Sequence, residues 1–136
     1  MDLGIKGRWA ILSGSSRGLG WACAQSIARE GVNVVINGRT SSDVDEAVAQ
    51  LTSLYHIEAR GVVGDSATAS VQDELMSACP EPDIILLNGQ GPSPKAFLDI
   101  ESEDWDSAVR QALTGPLALL QRVVPGMRDR SFGRIV

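Results

Sequence analysis

Short apolar runs alternate along the chain with segments whose apolar positions recur at helical spacing. Trp9-Ala10-Ile11-Leu12 is the first run, and it leads into a glycine-rich turn. From there Leu19, Ala22, Cys23, Ser26 and Ile27 predict a helix with that face toward the core, Cys23 packed on a sheet and Gly31 as the stop. Val32 to Ile36 predicts a second strand, closed by Asn37-Gly38. A helix then begins at Ser42, with Val44, Ala47, Val48, Leu51 and Tyr55 on its core face and Ser42 or Asp43 as N-cap. Gly61 to Gly64 predicts a third strand, Val71, Leu75 and Met76 mark a short helix ending near Pro80, and Ile84 to Leu87 is a fourth strand. A loop with Pro92 and Pro94 precedes a long helix from about Ser102 to Arg128. Pro116 lies inside that helix and removes the N–H that would bond the Ala112 carbonyl, so a local kink is expected. Ser131-Phe132-Gly133-Arg134-Ile135-Val136 opens a fifth strand.

This strand–helix alternation predicts an α/β fold, a doubly wound parallel sheet covered by helices on both faces. The strands read as near-continuous apolar runs, as strands buried on both sides should. The 136 residues are expected to form a single domain, residues 1–136, that reaches only the start of its fifth strand.

Composition narrows the function. A net charge of −5 gives nucleic acid no general reason to bind, so an anionic ligand must be held by local donors. No apolar run is long enough to span a bilayer, and the N-terminus lacks the pattern of a signal peptide, so a cytoplasmic location is expected. Two cysteines argue against a disulfide framework, and neither Cys23 nor Cys79 has the partners of a nucleophile. His56 is the one histidine and is expected to be exposed near the end of the second helix, so no histidine-rich metal site is expected. Asp99, Glu101, Glu103, Asp104 and Asp106 read as a solvated helix start favoured by the dipole, and Trp105 as helix packing.

Ser13-Gly14-Ser15-Ser16-Arg17-Gly18-Leu19-Gly20 lies between the first strand and the first helix. Glycines there let the backbone turn sharply and approach a ligand, while the helix start offers unpaired N–H groups and a positive dipole end to a pyrophosphate. A bare strand-to-helix turn needs only one glycine; this one has three, spaced four and two apart. The spacing resembles the T-G-x-x-x-G-x-G fingerprint of the short-chain dehydrogenase/reductase family, with Ser13 in place of threonine. The resemblance extends through the whole chain and covers the N-terminal part of a usual member.

The resemblance implies a Rossmann-type fold and a nicotinamide cofactor, with Gly14, Ser16, Arg17, Gly18, Leu19 and Gly20 holding the phosphates. Where NAD-binding members carry an acid after the second strand, this chain has Asn37-Gly38-Arg39. Arg17 and Arg39 suit the 2′-phosphate of NADP(H); otherwise both are solvated surface residues. At about 1.5–3 kcal/mol for each charge-assisted bond, two would favour NADP by about a hundredfold or more. By the same resemblance Asp65 and Ser66 hold adenine, although either also suits a helix N-cap. Asn88 and Gly89 stand for part of the family's N-N-A-G segment beside the nicotinamide ribose, and 90–94 for the rim of a substrate cleft.

The family's activity is hydride transfer between nicotinamide and a small carbonyl or alcohol substrate. Its catalytic serine and its Tyr-x-x-x-Lys pair match positions beyond Val136, and its relay asparagine matches Ala112. Tyr55, the one tyrosine, reads as core packing. The chain alone is therefore expected to bind NADP(H) weakly and reduce nothing, with a non-catalytic NADP(H)-binding module as the alternative. A homo-oligomer is expected, because the family's fourth helix commonly lies in a dimer interface.

Overall fold

In the computed structural model, which describes residues 2–89 and 91–136, five strands pair in parallel in one sheet. They are β1 (Trp9–Leu12), β2 (Asn33–Gly38), β3 (Ala59–Val63), β4 (Ile84–Leu86) and β5 (Arg134–Ile135), in the order β3-β2-β1-β4-β5. The connecting helices are α1 (Gly18–Arg29), α2 (Ser41–Tyr55), α3 (Ala69–Ala78), α4 (Ser102–Val109) and α5 (Gly115–Asp129). This is the doubly wound Rossmann topology, in which the strand order reverses direction between β1 and β4.

Alternation along the strands divides the core into two layers. Ala10, Leu12, Val34, Ile36 and Ile84 face α1 and α2, against Ala24, Ala28, Val44, Ala47 and Leu51. Ile11, Val35, Val62 and Ile85 face the other way, against Val71 and Leu75 of α3 and Leu119, Val123 and Met127 of α5. Central strands buried on both faces need apolar residues at every position, which is why they read as unbroken runs.

Three expectations are corrected. The sheet face of α1 is Gly20, Ala24 and Ala28, whose small side chains let the helix lie close on β1 and β2. Leu19 is 74% exposed, and Ala22, Cys23 and Ser26 flank an apolar groove with Leu12, Leu86 and Val136, whereas Ile27 packs on the core layer as expected. The α2 N-cap is Thr40, without a side-chain cap, rather than Ser42 or Asp43. Trp105 is 54% exposed and packs on no core layer, because α4 lies at the edge of the fold.

Proline shapes the long helix. Arg110–Thr114 forms a π turn between α4 and α5, and the Gly115 N–H bonds the Arg110 carbonyl. A wider turn takes up the residue whose donor Pro116 cannot supply.

Asp83 ties the opposite end of the sheet together. Its carboxylate pairs with Arg8 at 3.1 Å and accepts the Trp9 N–H at 3.2 Å, with Arg130 at 3.9 Å. Arg8 and Arg134 both lie over the ring of Phe132, at 3.4 and 4.6 Å from its centroid. Cys79 is buried nearby at the end of α3, and burial pushes its thiol pKa up to about 11. It is therefore an inert thiol. His56 is exposed in left-handed conformation at the end of α2, as its position in the sequence suggested.

Candidate functional site

A pocket opens at the carboxyl ends of β1, β2, β3 and β4, beside the point where the strand order reverses. The turn from β1 into α1 forms its floor. Gly14 adopts φ +55°, and a Cβ there would strike the Asn88 carbonyl. A Cβ on Gly20 would meet Ser15 Cα at 2.8 Å and Asn88 Nδ2 at 2.9 Å. These two glycines let the turn, the helix and the β4 end share one small volume. Arg17 takes the N-cap position of α1 without a side-chain cap, so the first helical N–H groups have no acceptor within the helix.

Buried polar residues fix the turn. Ser13 Oγ donates to the Leu86 carbonyl at 3.1 Å and accepts the Asn88 N–H at 2.9 Å. Ser15 Oγ donates to the Leu12 carbonyl at 2.6 Å and accepts the Asn37 N–H at 3.2 Å. Asn37, 2% exposed, is the main brace: its amide donates to the carbonyls of Val62 and Gly64 at 3.1 Å each, and its carbonyl accepts the Gly14 N–H at 3.3 Å. Sequence reasoning took Asn37 only as the end of a strand. Its signal was an amide closing a run of β-branched residues, where a buried polar group must find partners.

Gly14, Ser16, Arg17, Arg39, Asp65, Ser66, Asn88 and Gly89 all line this pocket. Of the other residues expected there, Gly18 and Leu19 lie exposed at the start of α1 and Gly20 is buried under the turn. Asn88 joins β4 to β1, its amide donating to the Gly14 carbonyl at 2.8 Å. Asp65 is not an N-cap; its carboxylate accepts the Ala67 N–H at 2.9 Å in a tight turn, and Thr68 takes the cap position of α3 instead of Asp65 or Ser66. Of the expected cleft rim, Gln90 lies outside the described residues, and Gly91 to Pro94 are exposed and do not line the pocket.

One more residue lines the site, and two others support it from behind. Gln111, on the π turn, lines the pocket and sets its carbonyl beside Gly89, while Ala112 is exposed. Gln72 is buried and donates to the carbonyls of Ser66 at 3.0 Å and Gly115 at 2.9 Å, tying the loop after β3 to α5. Asp43, in the first turn of α2, pairs with Arg17 at 3.0 Å. This acid of the first turn of α2 does not line the pocket.

The chain matches the short chain dehydrogenase family over residues 8–136. It is 31% identical to the uncharacterized oxidoreductase YvaG of Bacillus subtilis, over 100% of this chain and 52% of that protein. Against the 3-oxoacyl-[acyl-carrier-protein] reductase FabG of Aquifex aeolicus it is 29% identical, over 100% of this chain and 56% of the relative. An L-sorbose reductase from Gluconobacter frateurii, solved with NADPH and L-sorbose, superposes with a TM-score of 0.90 at 30% identity. That match covers 99% of this chain and 53% of the reductase. The chain thus spans about half the length of these relatives.

Proposed function

The chain belongs to the short chain dehydrogenase family, a family of oxidoreductases, and on that premise we propose that it is the nucleotide-holding part of an NADP(H)-dependent enzyme that interconverts a small carbonyl compound and its alcohol. One observation carries the reading: the glycine turn, two arginines, the Asp65-Ser66 loop and Asn88 line a single pocket at the strand-order reversal. Gly14 and Gly20 let the turn pack tightly against Asn88, and the uncapped start of α1 behind that turn suits a pyrophosphate.

In this reading Gly14, Ser16, Arg17, Gly18, Leu19 and Gly20 hold the phosphates. Arg17 and Arg39 take the 2′-phosphate, Asp65 and Ser66 the adenine, and Asn88 and Gly89 lie beside the nicotinamide ribose. When bound, the nicotinamide supplies or accepts a hydride. The Tyr-x-x-x-Lys pair is not among these 136 residues: Tyr55 packs against the α2 core layer, and Ala59 stands four positions on. Residues 1–136 alone should bind NADPH and turn nothing over. Titration calorimetry with NADPH and NADH tests this, with NADPH about a hundredfold or more tighter from its charge-assisted contacts. Equal affinities would overturn the NADP assignment, and carbonyl-dependent NADPH oxidation by residues 1–136 would overturn the predicted inactivity.

A second reading, a non-catalytic NADP(H)-binding module, is favoured by Ala112, which stands where the family's relay asparagine is expected. Carbonyl-dependent NADPH oxidation by the full-length protein would exclude it. We further propose self-association through α4 and α5. Trp105, Val109, Leu113 and Leu117 recur every four residues and are about half exposed, a continuous apolar stripe that suits a second copy of the same helix.

A further inference from the structure

Asp43 has no assigned part in the site, yet its surroundings are unusual. One of its carboxylate oxygens, Oδ2, is shut off from solvent and accepts no hydrogen bond. A buried carboxylate oxygen in that state is tolerated only beside compensating positive charge. Arg17 Nε lies 3.0 Å from that oxygen, although the Arg17 side chain is itself 72% exposed. The first turn of α2 adds its N-terminal dipole on the same side.

The atom used in this contact matters. Nε is the guanidinium nitrogen nearest the chain, and the two terminal nitrogens form the far edge, which keeps two parallel N–H donors for pairing with phosphate in a planar fork. A free arginine on an exposed turn samples many rotamers, and a ligand must bear the entropy of fixing it. An arginine already held beside a fixed carboxylate at 3.0 Å loses less. Arg17 lines the pocket and Asp43 does not, so the carboxylate holds the guanidinium from behind rather than competing for the ligand.

We propose that Asp43 is a positioning residue for cofactor selectivity: by anchoring Arg17 across the gap between the glycine turn and α2, it presents the terminal guanidinium edge to the 2′-phosphate of NADP(H). The inference rests on the proposed 2′-phosphate role of Arg17.

The test is a set of dissociation constants for NADPH and NADH, measured on the full-length protein by calorimetry or tryptophan fluorescence. Asp43→Asn should weaken NADPH about threefold to tenfold, the cost of fixing one long side chain, and leave NADH within about twofold. Asp43→Glu, which keeps the charge, should retain more of the preference. Adding Asp43→Asn to Arg17→Ala should change nothing further. Asp43→Ser carries the same expectation should the Asn variant fail to fold. Unchanged or tighter NADPH binding in Asp43→Asn, or equal weakening of both cofactors, would overturn the inference. Arg17→Ala separates the two levels. If it leaves the NADPH preference intact, the role of Arg17 falls and the inference with it; if it abolishes the preference while Asp43→Asn does not, only the inference falls.

Discussion

Asn88 engages Gly14 twice: its side-chain amide donates to the Gly14 carbonyl at 2.8 Å, and its own carbonyl occupies the space a Gly14 side chain would need. Gly14→Ala therefore meets both an unfavourable positive φ and a backbone atom that cannot yield. Strain alone is expected to cost about 1–3 kcal/mol, read as a lower urea midpoint, with loss of NADPH binding in calorimetry. Wild-type nucleotide affinity in this variant would show that the turn does not form the cradle.

Asn37→Ala removes at once the side-chain hydrogen bonds to the Val62 and Gly64 carbonyls and to the Gly14 N–H. Leaving buried polar groups unpaired should cost about 2–3 kcal/mol. Chemical denaturation checks the magnitude, and hydrogen exchange should show the glycine turn opening before the strands.

Gly115→Ala would place a methyl group 2.6 Å from Ala67 Cβ, at the junction Gln72 holds with its two amide bonds. Overpacking of this kind typically costs about 1–3 kcal/mol. The melting temperature should fall, whereas Gln72→Leu should keep the volume and lose the bonds, which separates packing from hydrogen bonding.

Cys79 makes stability depend on alkaline pH. Burial raises the thiol from 9.0 to about 11, so the folded state keeps its proton in a range where the unfolded state has released it. The stabilisation is complete below pH 9 and is lost as pH rises toward 11, a fall of about 2–3 kcal/mol at most. Urea denaturation at successive pH values should show this slope, and Cys79→Ala should remove it. In native protein a thiol reagent should modify half-buried Cys23 well before Cys79.

Leu113→Glu interrupts the exposed apolar stripe with a charge at a position that is itself about half exposed. Sedimentation should show the wild-type assembly dissociating in this variant with little change in melting of the fold. An unaltered sedimentation coefficient would remove the α4–α5 face as the site of self-association.

Much of this fold was legible because parallel strands buried on both sides announce themselves as apolar runs, and the glycine turn sits where such a run ends. The sheet face of α1 was not, because residues that pack closest to a sheet are the smallest: Gly20, Ala24 and Ala28 carry little hydrophobic signal, whereas Ala22, Cys23 and Ile27 carry more. Trp105 misled for the converse reason, since a large apolar residue on an edge helix can face a partner instead of the core. Pro116 correctly marked a break in helical bonding, although only the structure shows that the break takes the form of a π turn. Asn37, Gln72 and Asp43 escaped because their partners lie on other elements: Asn37 bonds Val62 and Gly64, Gln72 reaches Gly115, and Asp43 reaches back to Arg17.

The strand order sets a timetable for synthesis. β1 is the middle strand, yet both neighbours lie downstream, β2 starting at Asn33 and β4 at Ile84. With the chain delivered N-terminus first at roughly 5–20 residues per second, β1 and β2 emerge several seconds before the strand that must cover the other edge of β1. Throughout that interval Ala10, Ile11 and Leu12 present an unpaired apolar edge to whatever else the cell holds nearby. The central strand is thus made before either neighbour, and its second edge is closed only when β4 is delivered.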